Sequence, residues 1–207
     1  MENEIRLEGS AYSGGMLPCG TVVEDSNGMN QLNLLSLHLS RGRLFIDGEI
    51  DMNTANRFAS AMLHLADMQS PVDIFINSPG GRVDAGLMMY DIIRSYGRKI
   101  NMYCTGLAAS MGAVLLAGGQ RGRRFILPHS RVMIHEPLIA GGLGGSASTI
   151  EKTAKNILDI KKQINSILAE HTGKSLSEIN KATSADNYMD ARQAVDFGIC
   201  DGIRNIF

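Results

Sequence analysis

The chain has 207 residues, 44% of them apolar and only five prolines, enough to bury one substantial α/β core, so a single domain spanning 1–207 is expected. A net charge of −1 offers no footprint for nucleic acid, and the basic run Arg121-Gly-Arg-Arg124 is short and free of interleaved aromatics, as a solvated turn would be. The opening Met1-Glu-Asn-Glu-Ile-Arg6 lacks the layout of a secretion signal and no stretch approaches a membrane span; Cys19, Cys104 and Cys200 are odd in number and without metal-ligand spacing, so a reduced, cytoplasmic setting is expected.

The first forty residues are poorly patterned, with loop signals at Ser13-Gly-Gly15 and Asp25-Ser-Asn-Gly28, and read as a mobile N-terminal segment. From Leu44 the pattern alternates. A strand over Leu44 to Ile46 precedes a helix from about Asn53 to Asp67, and a strand over Val72 to Ile76 precedes a helix from Val83 to Tyr96. A strand over Ile100 to Cys104 then leads to a helix over Ser110 to Ala117. Repeated βα units predict a mainly parallel sheet with right-handed crossovers. Short strands at Arg124 to Leu127 and Val132 to Ile134 follow, then a long helix from about Ser148 to Thr172. Its Ile150, Ile157, Ile160, Ile164, Ile167 and Leu168 recur at helical spacing, which suits either a partner surface or packing on its own domain.

Two places along this order carry chemistry. Gly106-Leu-Ala-Ala-Ser110-Met-Gly-Ala113 reads as a glycine turn opening into a buried helix, which puts Ser110 at a helix start. Such a serine is ordinarily a cap, but small flanking residues leave its hydroxyl open to approach. There the amide of Met111 and the helix dipole favour an oxyanion. Upstream, Phe75-Ile-Asn-Ser-Pro-Gly-Gly81 reads as an apolar strand ending in a Pro-Gly-Gly turn. Such a turn is usually only a turn; one βα unit before a nucleophile, its Gly81 amide can complete an oxyanion hole.

Of five histidines, His38 and His64 fall in apolar helical patterns, His129 follows a proline, and His171 sits near a helix end before Gly173. His135, in Arg131-Val-Met-Ile-His-Glu-Pro137, ends a β-like run, where side chains of an α/β sheet emerge into a site. It is the candidate base for Ser110. A base of this kind needs an orienting acid, and spacing does not choose among Asp186, Asp190, Asp196 and Asp201, any of which could cap a helix. The glycine run Ile139-Ala-Gly-Gly-Leu-Gly-Gly-Ser146 has no following Gly-Lys-Ser/Thr, so a phosphate loop is not indicated and a flexible loop is.

Asn77-Ser-Pro-Gly-Gly81, Gly106-Leu-Ala-Ala-Ser-Met-Gly112, Arg131-Val-Met-Ile-His-Glu-Pro-Leu138 and the tail Asp186 to Asp201, in that order, resemble the proteolytic subunit of the Clp protease family from about Leu44 to Gly202. The resemblance implies Ser110 as nucleophile, His135 as general base, Asp186 as orienting acid, and the Gly81 and Met111 amides as oxyanion hole. It implies an α/β fold of the crotonase-like spiral type, with a handle region over about 139–172 protruding from it. Peptide substrate is expected between Gly81-Arg82-Val83 and Gly141-Gly142-Leu143, held by strand addition with broad specificity. Also implied are a heptameric ring, in single or double form or mixed with a sister subunit, an AAA+ unfoldase partner, and no metal or organic cofactor.

Three departures stand out. Ser184-Ala185 replaces the acidic residue and arginine that pair across rings, the strand Asp73 to Asn77 is short and lacks the family's docking tyrosines, and the first forty residues do not match the axial segment. The expected activity is that of a serine endopeptidase acting on unfolded proteins and peptides. A noncatalytic or regulatory ring subunit is the alternative that the altered interface residues keep open, although an intact Ser-His-Asp set argues against it. A crotonase-type acyl-CoA enzyme shares the fold but has no use for an ordered Ser-His-Asp set.

Overall fold

The computed structural model describes residues 5–6, 20–25, 28–67, 71–139 and 144–206. Three strands, β1 (Ile5–Arg6), β2 (Gly20–Asp25) and β3 (Gly28–Asn33), form a small antiparallel sheet, and α1 (Leu34–Ser40) follows at once, capped by the Asn33 side chain. These elements occupy much of the stretch that lacks periodicity in the sequence. The two ends of the loop signal at Asp25 to Gly28 pair with each other as the last residue of β2 and the first of β3, while Ser26, Asn27 and Ser13 to Gly15 lie outside the described residues.

The main body alternates strand and helix: β4 (Arg43–Ile50), α2 (Met52–Ala66), β5 (Val72–Gly81), α3 (Val83–Ser95), β6 (Ile100–Ala109) and α4 (Met111–Ala117). Each helix forms for a local reason. Asp51 caps α2 by accepting the Thr54 amide at 2.7 Å, and Ala55, Phe58, Met62 and Leu65, spaced three or four apart, form its buried stripe. On α3 the buried stripe is Ala85, Gly86, Met89 and Ile93. All seven residues of α4 are buried, so no polar face is present. Next come β7 (Arg124–Ile126), β8 (Arg131–Ile134), α5 (Ala147–Thr172), α6 (Leu176–Ala182), β9 (Asn187–Met189), α7 (Ala191–Phe197) and β10 (Gly202–Ile203).

The sheet runs β10-β7-β6-β5-β4, every pair parallel; β8 joins the far end of β6 in parallel and pairs β9 antiparallel. It is a mixed α/β architecture with a parallel-rich sheet, as the alternation predicts. One sheet face packs under the helices, with Ile46, Ile74, Ile76, Met102, Cys104 and Ile126 in a continuous core with α2, α3 and α4. Across the other face runs an aromatic row in which Phe45 stacks on Phe75 (5.1 Å between centroids) and Phe75 on Tyr103 (5.2 Å), while Tyr103 adjoins Phe125 (5.4 Å). His38 and the Arg204 guanidinium close its two ends.

Two expectations are corrected. First, β5 does not stop at Ile76, nor β6 at Cys104: both strands run through their glycines, absorbing extra residues as bulges rather than turning. Second, Arg124 is no solvated turn residue. It is buried, pairs with Asp201 at 2.5 Å, and donates to the Ala117 and His171 carbonyls, the last residues of α4 and the end of α5. Burial alone would raise the Asp201 carboxyl, but the hydrogen bonds and charge of Arg124 outweigh it and hold the group below its ordinary value. Cys104 and Cys200 are free and buried, their thiols pushed up to about 11 and about 12 by burial; Cys19 lies outside the described residues. No helix among the described residues is long and apolar enough to cross a membrane.

Candidate functional site

The site grows out of two irregular strand ends. Along β4 and β5 the register is Asp47 with Asn77, then Glu49 with Gly80, so β5 carries one extra residue there. Ser78, buried inside this bulge, donates to the Gly48 carbonyl at 2.5 Å and accepts the Gly80 amide at 3.0 Å. Gly80 and Gly81 have φ of 91° and 152°, values that a side chain disfavours, and space forbids one as well. A Cβ on Gly80 would stand 2.6 Å from Ser110 Cβ, and one on Gly81 would stand 2.3 Å from the Ile50 carbonyl oxygen.

Beside it, β6 gains two residues between Cys104 and Ala108, and the Asn77 side chain braces that bulge by accepting the Leu107 amide at 3.1 Å. The strand then runs straight into Ser110. Its amide donates to the Met133 carbonyl at 2.8 Å, while its own carbonyl accepts Ala113 and Val114 of α4 at 3.0 and 3.2 Å. Ser110 has φ 51° and ψ −120°, and among the described residues it is the only non-glycine with positive φ. Such a conformation costs about 1–3 kcal/mol and persists where surroundings impose it, as in the strained strand-to-helix turn that exposes a serine hydroxyl. The side chain does not cap α4. It turns away, to His135 Nε2 at 2.9 Å.

His135 gets there by register. On β8, Met133 lies opposite Ala109, so the residue two beyond it, at the strand's end, emerges beside Ser110. On the other side of β8, Ile134 pairs with Asn187 of β9, which brings Asp186 alongside His135. Nδ1 of His135 stands 3.1 Å from Asp186 Oδ1. The imidazole is mostly covered, 16% exposed, whereas the Asp186 side chain is 59% exposed. The structure therefore brings Ser110, His135 and Asp186 into one hydrogen-bonded chain. It gives the other carboxylates different company: Asp190 caps α7 in a capping box with Gln193, and Asp201 holds Arg124.

Around Ser110, Val83, Met111, Val114, Pro137, Ile164 and Leu168 line an apolar pocket of about 20 Å³ in this state. Met111 is the first residue of α4, so its amide has no intrahelical acceptor. The amide of Arg82 is already used, donating to the Ile50 carbonyl at 2.7 Å, and its guanidinium forks onto Asp84 at 3.0 and 2.6 Å. Val83 opens α3 rather than continuing a strand. Gly141, Gly142 and Leu143 lie outside the described residues. Of the remaining histidines, His171 is buried with Nε2 2.7 Å from the Tyr90 hydroxyl. Among the described residues no cluster of three or more His, Cys, Asp or Glu side chains is gathered as a metal site would need. Asn77, Ser78 and Gly80, which shape the site, stand in the sequence only as parts of the Asn77-Ser-Pro-Gly-Gly81 run, with no local pattern that assigns them these bracing roles.

A hydroxyl bonded to an imidazole whose second nitrogen faces a carboxylate is chemically equipped to lose its proton to that imidazole while attacking a carbonyl. Comparison with known families agrees with that capacity at a coarser level. The family model described as Clp protease matches residues 26–206, nearly the whole chain and every element of the site. The chain belongs to the Clp protease family and is a ClpP-like peptidase.

Proposed function

We propose that the protein is a serine endopeptidase of unfolded polypeptide, with Ser110 as nucleophile, His135 as general base and Asp186 as the acid that orients it. The observation that carries this is the chain of contacts from Asp186 through His135 to Ser110, ending on a serine whose backbone is forced out of ordinary geometry. His135 Nε2 takes the Ser110 proton as Oγ attacks a peptide carbonyl, then returns it to the leaving amine; water hydrolyses the acyl-enzyme by the same route. Asp186 fixes the tautomer with the Nδ1 proton and stabilises the imidazolium. The Met111 amide, free of helix bonding, and the Gly81 amide would stabilise the oxyanion. The neighbouring Arg82 amide donates to the Ile50 carbonyl of β4 and is not available for that role.

Substrate would lie extended along Gly81-Arg82-Val83 and the glycine run Gly141-Gly142-Leu143, bound mainly through its backbone, which gives broad specificity. In assembly, the protein would form a heptameric ring, single or double, with the crotonase-like spiral as its body, α5 as a handle, and an AAA+ unfoldase feeding it. Support for a partner surface on α5 comes from its burial. Only Ile164, Asn165, Leu168 and His171 are buried, while Ile150 and Leu158 on the earlier turns are exposed. The test is covalent: a fluorophosphonate probe should label the assembled protein at Ser110, and Ser110→Ala should abolish both labelling and peptide turnover. An adduct elsewhere, or none in the assembled protein, would overturn the assignment.

A further inference from the structure

His135 is the first residue beyond β8, and the backbone from it to Ile139 belongs to no helix or strand. What fixes this segment is therefore its side contacts, and they converge on Glu136. The Glu136 amide donates to the Thr183 carbonyl at 2.8 Å, while its carboxylate accepts the ammonium of Lys161 from α5. Thr183 is fully buried, three residues before Asp186, and its hydroxyl accepts Nδ2 of Asn165 at 3.2 Å. Lys161 and Asn165 are four residues apart and so share one face of α5. One helix face thus holds the neighbour of His135 with one side chain and the approach to Asp186 with the other.

The Lys161–Glu136 pair is poorly placed to stabilise the fold. Its side chains are 32% and 37% exposed, and ion pairs so wetted contribute little to folding. It lies where α5 leaves the core, since no side chain of the helix before Ile164 is buried. Resting on the serine-peptidase assignment, we propose that Glu136 is a positioning residue: held by Lys161, it keeps His135 in register with Ser110, and it does so without touching substrate. The pair acts on the imidazole's place, not on its chemistry. Loss of it lets His135 drift from Ser110, and a drift near 1 Å lowers catalysis by about 100-fold.

The experiment uses the full chain and the variants Glu136→Ala, Glu136→Gln, Lys161→Met, the double Glu136→Ala/Lys161→Met, and the charge swap Glu136→Lys/Lys161→Glu. For each, kcat and KM on a short fluorogenic peptide, the rate of fluorophosphonate labelling at Ser110, the melting temperature and the sedimenting species are measured. Expected in Glu136→Ala and Lys161→Met is a fall of about tenfold or more in kcat and in labelling rate, with KM within about twofold and melting and assembly unchanged. The double variant should be no slower than either single, because both remove one interaction. Glu136→Gln, which keeps an acceptor, and the charge swap should each recover part of the rate. Rates within about twofold of wild type in both singles overturn the proposal. So does a loss accompanied by unfolding or dissociation, which makes the pair structural. If the wild-type chain is itself not labelled at Ser110, the peptidase assignment has failed instead, and the positioning role falls with it.

Discussion

Gly80 is bare because Ser110 occupies the space beside it: a methyl there would also meet the Ala109 carbonyl oxygen at 2.7 Å, and φ of 91° disfavours any side chain. Gly80→Ala should therefore cost about 1–3 kcal/mol of stability and move Ser110 away from His135. Labelling at Ser110 should slow by about 100-fold, read beside a thermal melt; a variant as stable and as reactive as wild type would contradict this packing. A pair of carboxylate variants separates orientation from capping. Asp186→Asn should keep the fold and lose turnover by about 10⁴, the loss expected when the histidine tautomer is wrong. Asp190→Asn, at the cap of α7, should cost at most about 1 kcal/mol of stability and leave turnover near wild type, and the reverse pattern would exchange the two assignments. Ser110 and His135 stand out in the sequence because each sits at the junction of a periodic run with small or turn-forming residues. The carboxylate does not. Four aspartates lie in one polar tail, and what singles out Asp186 as the neighbour of His135 is a nonlocal register, Ile134 opposite Asn187, that no local pattern encodes.

Element by element, hydrophobic period reveals α2, α3 and α5 and the strand cores, because a buried stripe writes itself into spacing. It misplaces the ends of β5 and β6. Pro79-Gly80-Gly81 and Gly106 look like turn punctuation, yet partners on both sides of each strand keep the ladder going and force the surplus residues into bulges. Short elements such as β9 and α6 are too brief to show a period. The far end of α5 is anchored by polar contacts that leave no periodic trace: His171 packs on Tyr90, and its carbonyl accepts from Arg124. Burial holds the His171 imidazole below its usual value of 6.5; Glu170 opposes that shift, and Arg94, Arg124 and Arg121 add to it. As pH falls below about 6.5 the unfolded chain takes up the proton before the folded one, so stability should decline from there down through the folded-state value. The drop in melting temperature between pH 7.5 and pH 5.5 should be smaller in His171→Gln than in wild type. Equal drops in the two proteins would remove His171 as the source.

For the whole molecule, the surfaces left open by the isolated chain are telling. Leu63, Leu138 and Leu158 are 73%, 74% and 63% exposed, on α2, beyond β8 and on α5, and apolar groups so placed favour burial against other chains. The aromatic row from Phe45 to Phe125 crosses the sheet face opposite the helices, with Phe45 still 42% exposed at its end. Against this, the segment leading to Asp186 offers Ser184 and Ala185, and neither can form the acidic–arginine ion pair between rings that the resemblance implies. Without that pair, the stacking of one ring on another should be weakened. Sedimentation of the pure protein at low micromolar concentration should show single rings, with double rings appearing only when a sister subunit supplies the missing pair. A stable and fully active homomeric double ring would overturn that expectation. A proposed ring whose active sites face inward would exclude folded proteins, so cleavage without ATP should be limited to short or unfolded peptides, and brisk unaided digestion of a folded protein would show that the active sites are not enclosed.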